Sequence, residues 1–183
     1  MGKLHSALDA DLQAWLAAQR MFFVATAPSG DGGHVNCSPK GGDPLRVLGP
    51  TTVAYVDRIG SGIETVAHVR QNGRITIMLC AFEGPPRIVR LYGKGEVISA
   101  GDPGFAPLLA QFGTGAFGVR TIVRVELSRI ADSCGFGVPL LRFEGERELI
   151  GKWAEKKGEA GMAAYVREKN GSSIDGLPGI VAG

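Results

Sequence analysis

Cysteine is scarce in this 183-residue chain, at Cys37, Cys80 and Cys134 alone. An odd number without short regular spacing excludes a disulfide scaffold and fits a reducing, cytoplasmic compartment. Long apolar runs are also missing. No stretch reaches the ~20 residues that span a bilayer, and the polar residues that arrive by Asp9 leave no signal-peptide core. Met1-Gly2 with Ser6 matches the loose myristoylation pattern. No polybasic stretch accompanies it, and one acyl chain anchors only marginally. Charge of one sign is lacking too. A net charge of +2 is too small to imply nucleic acid or an anionic membrane as partner. Histidine occurs only at His5, His34 and His68, which gives nucleophilic hydrolysis little support.

Glycine is what the chain has in excess. Its 28 glycines are about twice the ordinary ~7% share, which points to tight turns and close backbone approaches to a ligand. The length fits a single domain over residues 1–183, with a barrel core at about 20–130 and a helical extension at about 146–183.

Ser6 is placed to cap a helix running to about Gln19, with Leu8, Leu12, Trp15 and Leu16 on one face. Met21 to Ala27 and His34 to Ser38 read as a hairpin, with Pro39 closing its second strand for want of an amide proton. Short strands follow at Pro44 to Val47 and Thr52 to Asp57. A helix from Ser61 to Gln71 stops at Asn72-Gly73. Arg74 to Phe82, Arg87 to Ile98 and Val119 to Ile130 alternate as strands, with a short helix from Pro103 to Phe112. Glu146 to about Asn170 reads as a helix interrupted near Gly158 or Gly161, and Ser172 to Gly183 as an extended tail. Six or seven short strands with few helices predict a mainly β, α+β fold, an antiparallel barrel closed or nearly so.

Four segments carry candidate chemistry. Asn36 and Ser38 share a strand face with His34, and Lys40 follows as a point charge for an anion. The same pattern also suits the solvated face of an edge strand. His34 and Cys37 fall on opposite faces, so no metal site is expected. In the second segment, Arg58 precedes Ser61-Gly62-Ile63-Glu64-Thr65. Ser61 and Glu64 form a capping box, and the amides of a helix start beside Arg58 suit a phosphate. Capping alone and phosphate binding both stand at this point. In the third, Arg90, Tyr92 and Lys94 share a face with Ile88. They suit an anionic or planar ligand, or the outward face of a barrel strand. In the fourth, Cys134 sits in a glycine-rich loop with no histidine near in sequence to activate it. No catalytic residue is assigned.

Taken in order, four stretches resemble the pyridoxamine-5′-phosphate-oxidase-like, FMN-binding split-barrel families. They are His34 to Gly41, Tyr55 to Thr65, Asn72 to Met78 and Gly84 to Gly93. The resemblance runs from the N-terminal helix through Ile98. Asp132 to Pro139 and Ser173 to Gly179 resemble the same subfamily, one of bacterial members. It implies a homodimer with FMN in the subunit interface, and a flavin-dependent oxidoreductase acting on a small molecule. It also implies that Asn36, Ser38 and Lys40 lie along the flavin and that Arg58, Ser61, Gly62 and Thr65 lie near the ribityl phosphate. Arg90 falls on a neighbouring strand to which the second subunit contributes. Related split barrels hold deazaflavin or haem, or bind a cofactor without turnover, and these are the alternatives. The chain departs from true pyridoxamine phosphate oxidases, which carry an Arg-x-Val-Leu-Leu-Lys strand where this one has His34 to Lys40. It also lacks their tryptophan- and arginine-rich C-terminus, retaining Trp153 and Arg167 without the pattern. Both departures argue against oxidation of pyridoxamine phosphate.

Overall fold

A computed structural model describes residues 2–42 and 45–180. In chain order the elements are β1 (Leu4–His5), α1 (Ala10–Ala18), β2 (Met21–Thr26), β3 (Asn36–Gly41), β4 (Leu45–Gly49) and β5 (Thr52–Arg58). There follow α2 (Glu64–Asn72), β6 (Arg74–Cys80), β7 (Ile88–Ser99), α3 (Phe105–Ala110), β8 (Val119–Ser133) and α4 (Leu149–Lys169). The strands make one antiparallel sheet in the order β3-β2-β6-β7-β8-β5-β4, with β1 added to β8. The path ends at β3 and β4, so the sheet is the half-barrel of a split-barrel fold rather than a closed barrel.

The period-two alternation of the sequence decides which faces are buried. Ile75, Ile77 and Leu79 of β6, Val89 and Leu91 of β7, and Val123 and Val125 of β8 form the main core with Leu8, Leu12 and Leu16. β8 is buried on both faces: Ile122 joins a second cluster beneath α3, with Phe105, Leu108, Leu109 and Phe112. In a third cluster Ala154 and Met162 of α4 pack on Ile59, just after β5. Gly93 sits at a register shift of β7, where an added Cβ would lie 2.2 Å from the Glu126 carbonyl oxygen. Only glycine permits that approach.

Several boundaries differ from the sequence reading, each for a local reason. α1 is capped by Asp9, whose carboxylate accepts from the Leu12 amide at 2.9 Å. Ser6 lies too far upstream, because the Leu8 amide is already committed to the Pro50 carbonyl at 2.7 Å. Pro39 does not close β3 but lies within it, opposite Phe23. β3 is an edge strand, where a missing N–H costs no ladder bond. α2 begins at Glu64 rather than Ser61 and ends as expected, with Gly73 left-handed at φ 73°. α4 is broken at Gly158. The tail is folded rather than extended, since Ser172 bridges Pro178 and the Ser173 hydroxyl accepts from the Leu177 amide. Met1 of the myristoylation pattern, Pro44 of the expected fourth strand and residues 181–183 of the tail lie outside the described residues.

β1 was not expected from the sequence. Asp132 holds it, accepting from the Lys3 amide at 2.9 Å and contacting His5 Nε2 at 3.0 Å, while Arg87 donates to the same carboxylate at 2.9 Å. Burial works to raise the Asp132 pKa, but the bonds from His5, Lys3 and Arg87 outweigh it and hold it at about 2. A depressed carboxylate pKa stabilises the fold above the unfolded pKa, and that contribution is lost as pH falls through the folded value. We expect Asp132→Asn to lower the urea midpoint near neutral pH. The gap from wild type should narrow as pH falls from about 4 to about 2. A gap constant over that range would contradict this assignment.

Candidate functional site

β3 and the connection from β5 to α2 line a cleft of about 1440 Å³, larger than the ~300–1,000 Å³ of most small-ligand pockets. Along β3 the side chains alternate. Asn36, Ser38 and Lys40 are half-buried and line the cleft, while Cys37 and Pro39 are exposed, Pro39 at its edge. The Asn36 amide donates to Thr65 Oγ1 at 2.9 Å and, more weakly, to Thr26 Oγ1 at 3.4 Å. Its Oδ1 accepts from the Ser38 hydroxyl at 3.0 Å. With its proton so used, Ser38 offers the cleft only lone pairs. Behind Asn36, Thr26 Oγ1 meets His68 Nδ1 at 3.0 Å. Burial pushes the His68 pKa down, against the pull of Asp175, Glu64 and the Thr26 contact. A neutral imidazole therefore backs the network, and its Nε2 has no partner among the described residues.

Asp57 is the charge at the floor of the site, with no solvent exposure. Lys40 Nζ donates to its Oδ1 at 2.8 Å, and Arg120 reaches its Oδ2 with Nε at 2.8 Å and Nη2 at 2.7 Å. Lys40 is thus not a free point charge but one member of a triad with a net charge of +1. Arg120 also donates to the Gly62 carbonyl at 2.7 Å and to Asn170 Oδ1 at 3.1 Å.

The capping box does not form. Ile63 is the N-cap of α2 with no side-chain hydrogen bond, and Ser61 is exposed. Glu64 instead accepts from the Ile174 amide in the tail at 3.3 Å. The first helical bond runs from the Ala67 amide to the Ile63 carbonyl, so the first-turn amides have no helical acceptor. Arg58 lines the cleft beside them, exposed, with a 3.4 Å contact to Thr114 Oγ1. Uncapped amides, a positive helix end and a guanidinium make a corner suited to an anion.

Of the residues singled out from the sequence, Asn36, Ser38, Lys40, Arg58, Gly62 and Thr65 line this one cleft. Ser61 adjoins it without lining it. Arg90 lies elsewhere, on β7 opposite Met78 and Ala131, and donates to Ser133 Oγ at 3.1 Å. Arg120 escaped the sequence reading because only strand register reveals it. β5 and β8 pair with Asp57 opposite Thr121, next to Arg120. The outer wall was missed as well. Leu141, Phe143, Arg147 and Met162 are among the cleft residues contributed from beyond β8.

Removing one partner of a buried ion pair strands the others, at about 3–5 kcal/mol. Asp57→Asn should therefore destabilise the chain by roughly that amount in urea unfolding. Lys40→Met should cost clearly less, because Arg120 still neutralises Asp57. Equal losses would show that the triad does not share its charge as described.

Comparison with known proteins agrees with this architecture. The family model described as pyridoxamine 5′-phosphate oxidase matches residues 8–134. The pyridoxamine 5′-phosphate oxidase family protein ustO of Aspergillus flavus is 39% identical over 194 aligned residues, covering 96% of this chain and 77% of that protein. The resemblance therefore extends beyond bacterial members. A solved HupZ variant of Group A Streptococcus superposes with a TM-score of 0.54 at 21% identity, covering 69% of this chain and 99% of that one. A candidate pyridoxamine 5′-phosphate oxidase of Lactobacillus delbrueckii gives 0.54 at 19% identity, covering 70% and 98%. These solved structures share the fold. With the family model spanning the sheet from α1 to the end of β8 and the fungal relative aligned along nearly the whole chain, this protein belongs to the pyridoxamine 5′-phosphate oxidase family.

Proposed function

We propose that the cleft binds FMN and that the protein is a flavin-dependent oxidoreductase acting on a small molecule. The observation that carries the reading is the uncapped start of α2 beside Arg58 and the Lys40–Asp57–Arg120 triad. Arg58 and the triad together offer two net positive charges against a phosphate of about −1.5 to −2. Asn36 and Ser38 supply polar contacts for a ring edge, and Val56, Ile59 and Phe117 supply apolar wall. The donor set thus fits a phosphorylated ligand with a flat, partly polar body. FMN would supply the electron or hydride chemistry, and the protein would bind and orient it. In this reading Arg58, Gly62 and Thr65 hold the phosphate end, with Ser61 beside them. Asn36 and Ser38 face the ring, and Lys40 acts through Asp57. The reading assigns Arg90 no direct contact within one chain. Haem is the weaker alternative. His5 and His34 are engaged by Asp132 and Asp175, His68 is in the core, and none lines the cleft.

We also place the protein in the cytoplasm as a homodimer with the cofactor at the interface. Free Cys37, Cys80 and Cys134 support the compartment. Among the described residues no helix is long and apolar enough to cross a membrane. Phe136 and Leu140 are 82% and 77% exposed, just before the loop that walls the cleft, and such apolar exposure marks association surfaces. Sedimentation should therefore give the dimer mass, and a monomer at tens of micromolar would refute the dimer.

Visible absorbance after addition of FMN and desalting tests the cofactor. Retention of flavin near one per chain is expected. Arg58→Ala should weaken FMN roughly ten- to hundredfold, the loss of a charge-assisted hydrogen bond. A wild-type protein that retains no FMN would overturn the reading, and an unchanged affinity in both Arg58→Ala and Lys40→Ala would overturn the phosphate assignment.

A further inference from the structure

The loop between β5 and α2 is gripped from behind by the far end of the chain. Asn170 closes α4 and is fully buried. Its Nδ2 donates to the Gly60 carbonyl at 2.9 Å, across 110 residues of sequence. Its Oδ1 accepts from Arg120 at 3.1 Å, and its carbonyl accepts from the Ile180 amide at 2.8 Å. Arg120 takes the next carbonyl but one, that of Gly62, at 2.7 Å. A trans peptide is planar, with its N–H opposed to its C=O. Holding the Gly60 and Gly62 carbonyls therefore turns the Ser61 and Ile63 N–H groups away from Asn170 and Arg120. Neither N–H has an acceptor among the described residues. The side chains behind the loop hold it in place.

The Asn170 backbone amide also donates to the Val166 carbonyl at 2.8 Å, so each of its polar atoms has a partner. A buried amide with all its polar groups engaged is oriented without freedom. α4 otherwise buries little beyond Ala154 and Met162. The tail is drawn in with it: an added Cβ at Gly179 would lie 2.2 Å from the Asn170 carbonyl oxygen, and Arg70 donates to the Gly179 carbonyl. Asn170 is thus more than a helix end resting on the sheet.

We propose that Asn170 is a positioning residue: with Arg120 it fixes the Gly60–Ile63 loop so that the loop's amides receive a phosphate, and the C-terminal extension thereby sets the preference for a phosphorylated flavin over its dephosphorylated form. The proposal rests on the flavin reading. A purely structural Asn170 would affect every ligand alike, whereas a positioning residue acts on the phosphate alone.

The test titrates FMN and riboflavin separately into the full-length apoprotein. The wild type should bind FMN more tightly than riboflavin. Asn170→Ala should weaken FMN by about tenfold or more while leaving riboflavin nearly unchanged, so that the preference collapses. Asn170→Gln, which keeps the amide on a longer arm, should move the preference the same way by less, and it covers the case in which the alanine variant does not fold. Amide hydrogen exchange of the apoproteins should be faster in the variants over residues 58–66 and unchanged in β6. Parallel loss of both ligands, or an unaltered ratio with unaltered exchange, overturns the positioning role while the flavin reading survives. A wild type that binds neither ligand overturns the flavin reading, and the phosphate preference falls with it.

Discussion

One buried carboxylate organises the molecule around the site. Asp57 has no contact with water, and burying a carboxylate is costly unless cations pair with it. It takes them from two strands that share no hydrogen bonds with each other. Arg120 comes from β8, the neighbour of β5 in the sheet, and Lys40 from β3, at the opposite end of the strand path. The backbone leaves the half-barrel open between β3 and β4, and the Lys40–Asp57 pair spans from one end of that path to the strand beside the other. Charge burial thus ties together ends that the ladder does not, and the cleft lies along that tie.

The same requirement explains why the site is cationic without being a cluster of free cations. Lys40 and Arg120 are needed by the fold, and only their surplus over Asp57 is available to a ligand. Arg58, exposed at the mouth, and the uncapped first turn of α2 add the rest. A dianion entering this corner would meet one exposed guanidinium, one fixed surplus charge and oriented amides. That combination costs little reorganisation, because most of it is already held by the protein's own bonds.

The sequence made legible whatever depends on local pattern. Alternation in β6 and β7 separates Ile75, Ile77, Leu79, Val89 and Leu91 from their neighbours, and these are the residues the core buries. β8 is buried on both faces, and there alternation alone does not decide. Elsewhere a strand's faces follow directly from its period. The cluster of Asn36, Ser38 and Lys40 was readable for the same reason. What escaped depends on pairings distant in sequence. Ser61 and Glu64 spell a capping box, yet Glu64 is engaged by Ile174, 110 residues away, and the helix starts without a side-chain cap. Pro39 looked like a strand end because nothing in a single sequence says that β3 is an edge. Arg120 and Asn170 each look like ordinary residues until register brings Thr121 opposite Asp57 and α4 back onto Gly60.

The cleft also divides by origin. Its inner side, from β3 to the start of α2 and Arg120, lies within residues 8–134 matched by the family model. Its outer side comes from residues 141–155 and Met162, beyond that match. The solved relatives span nearly all of their own length on about 70% of this chain, whereas the fungal relative aligns along 96% of it. The fold is therefore what the chain shares with the solved structures, and its alignment with the fungal relative takes in the extension as well. One fold can host different functions because function resides in the site built on it. Arg142, Phe143 and Arg147 are among the side chains that the outer wall contributes to the cleft. Asn170 makes the division less than complete, since it is the point at which the extension also reaches the floor.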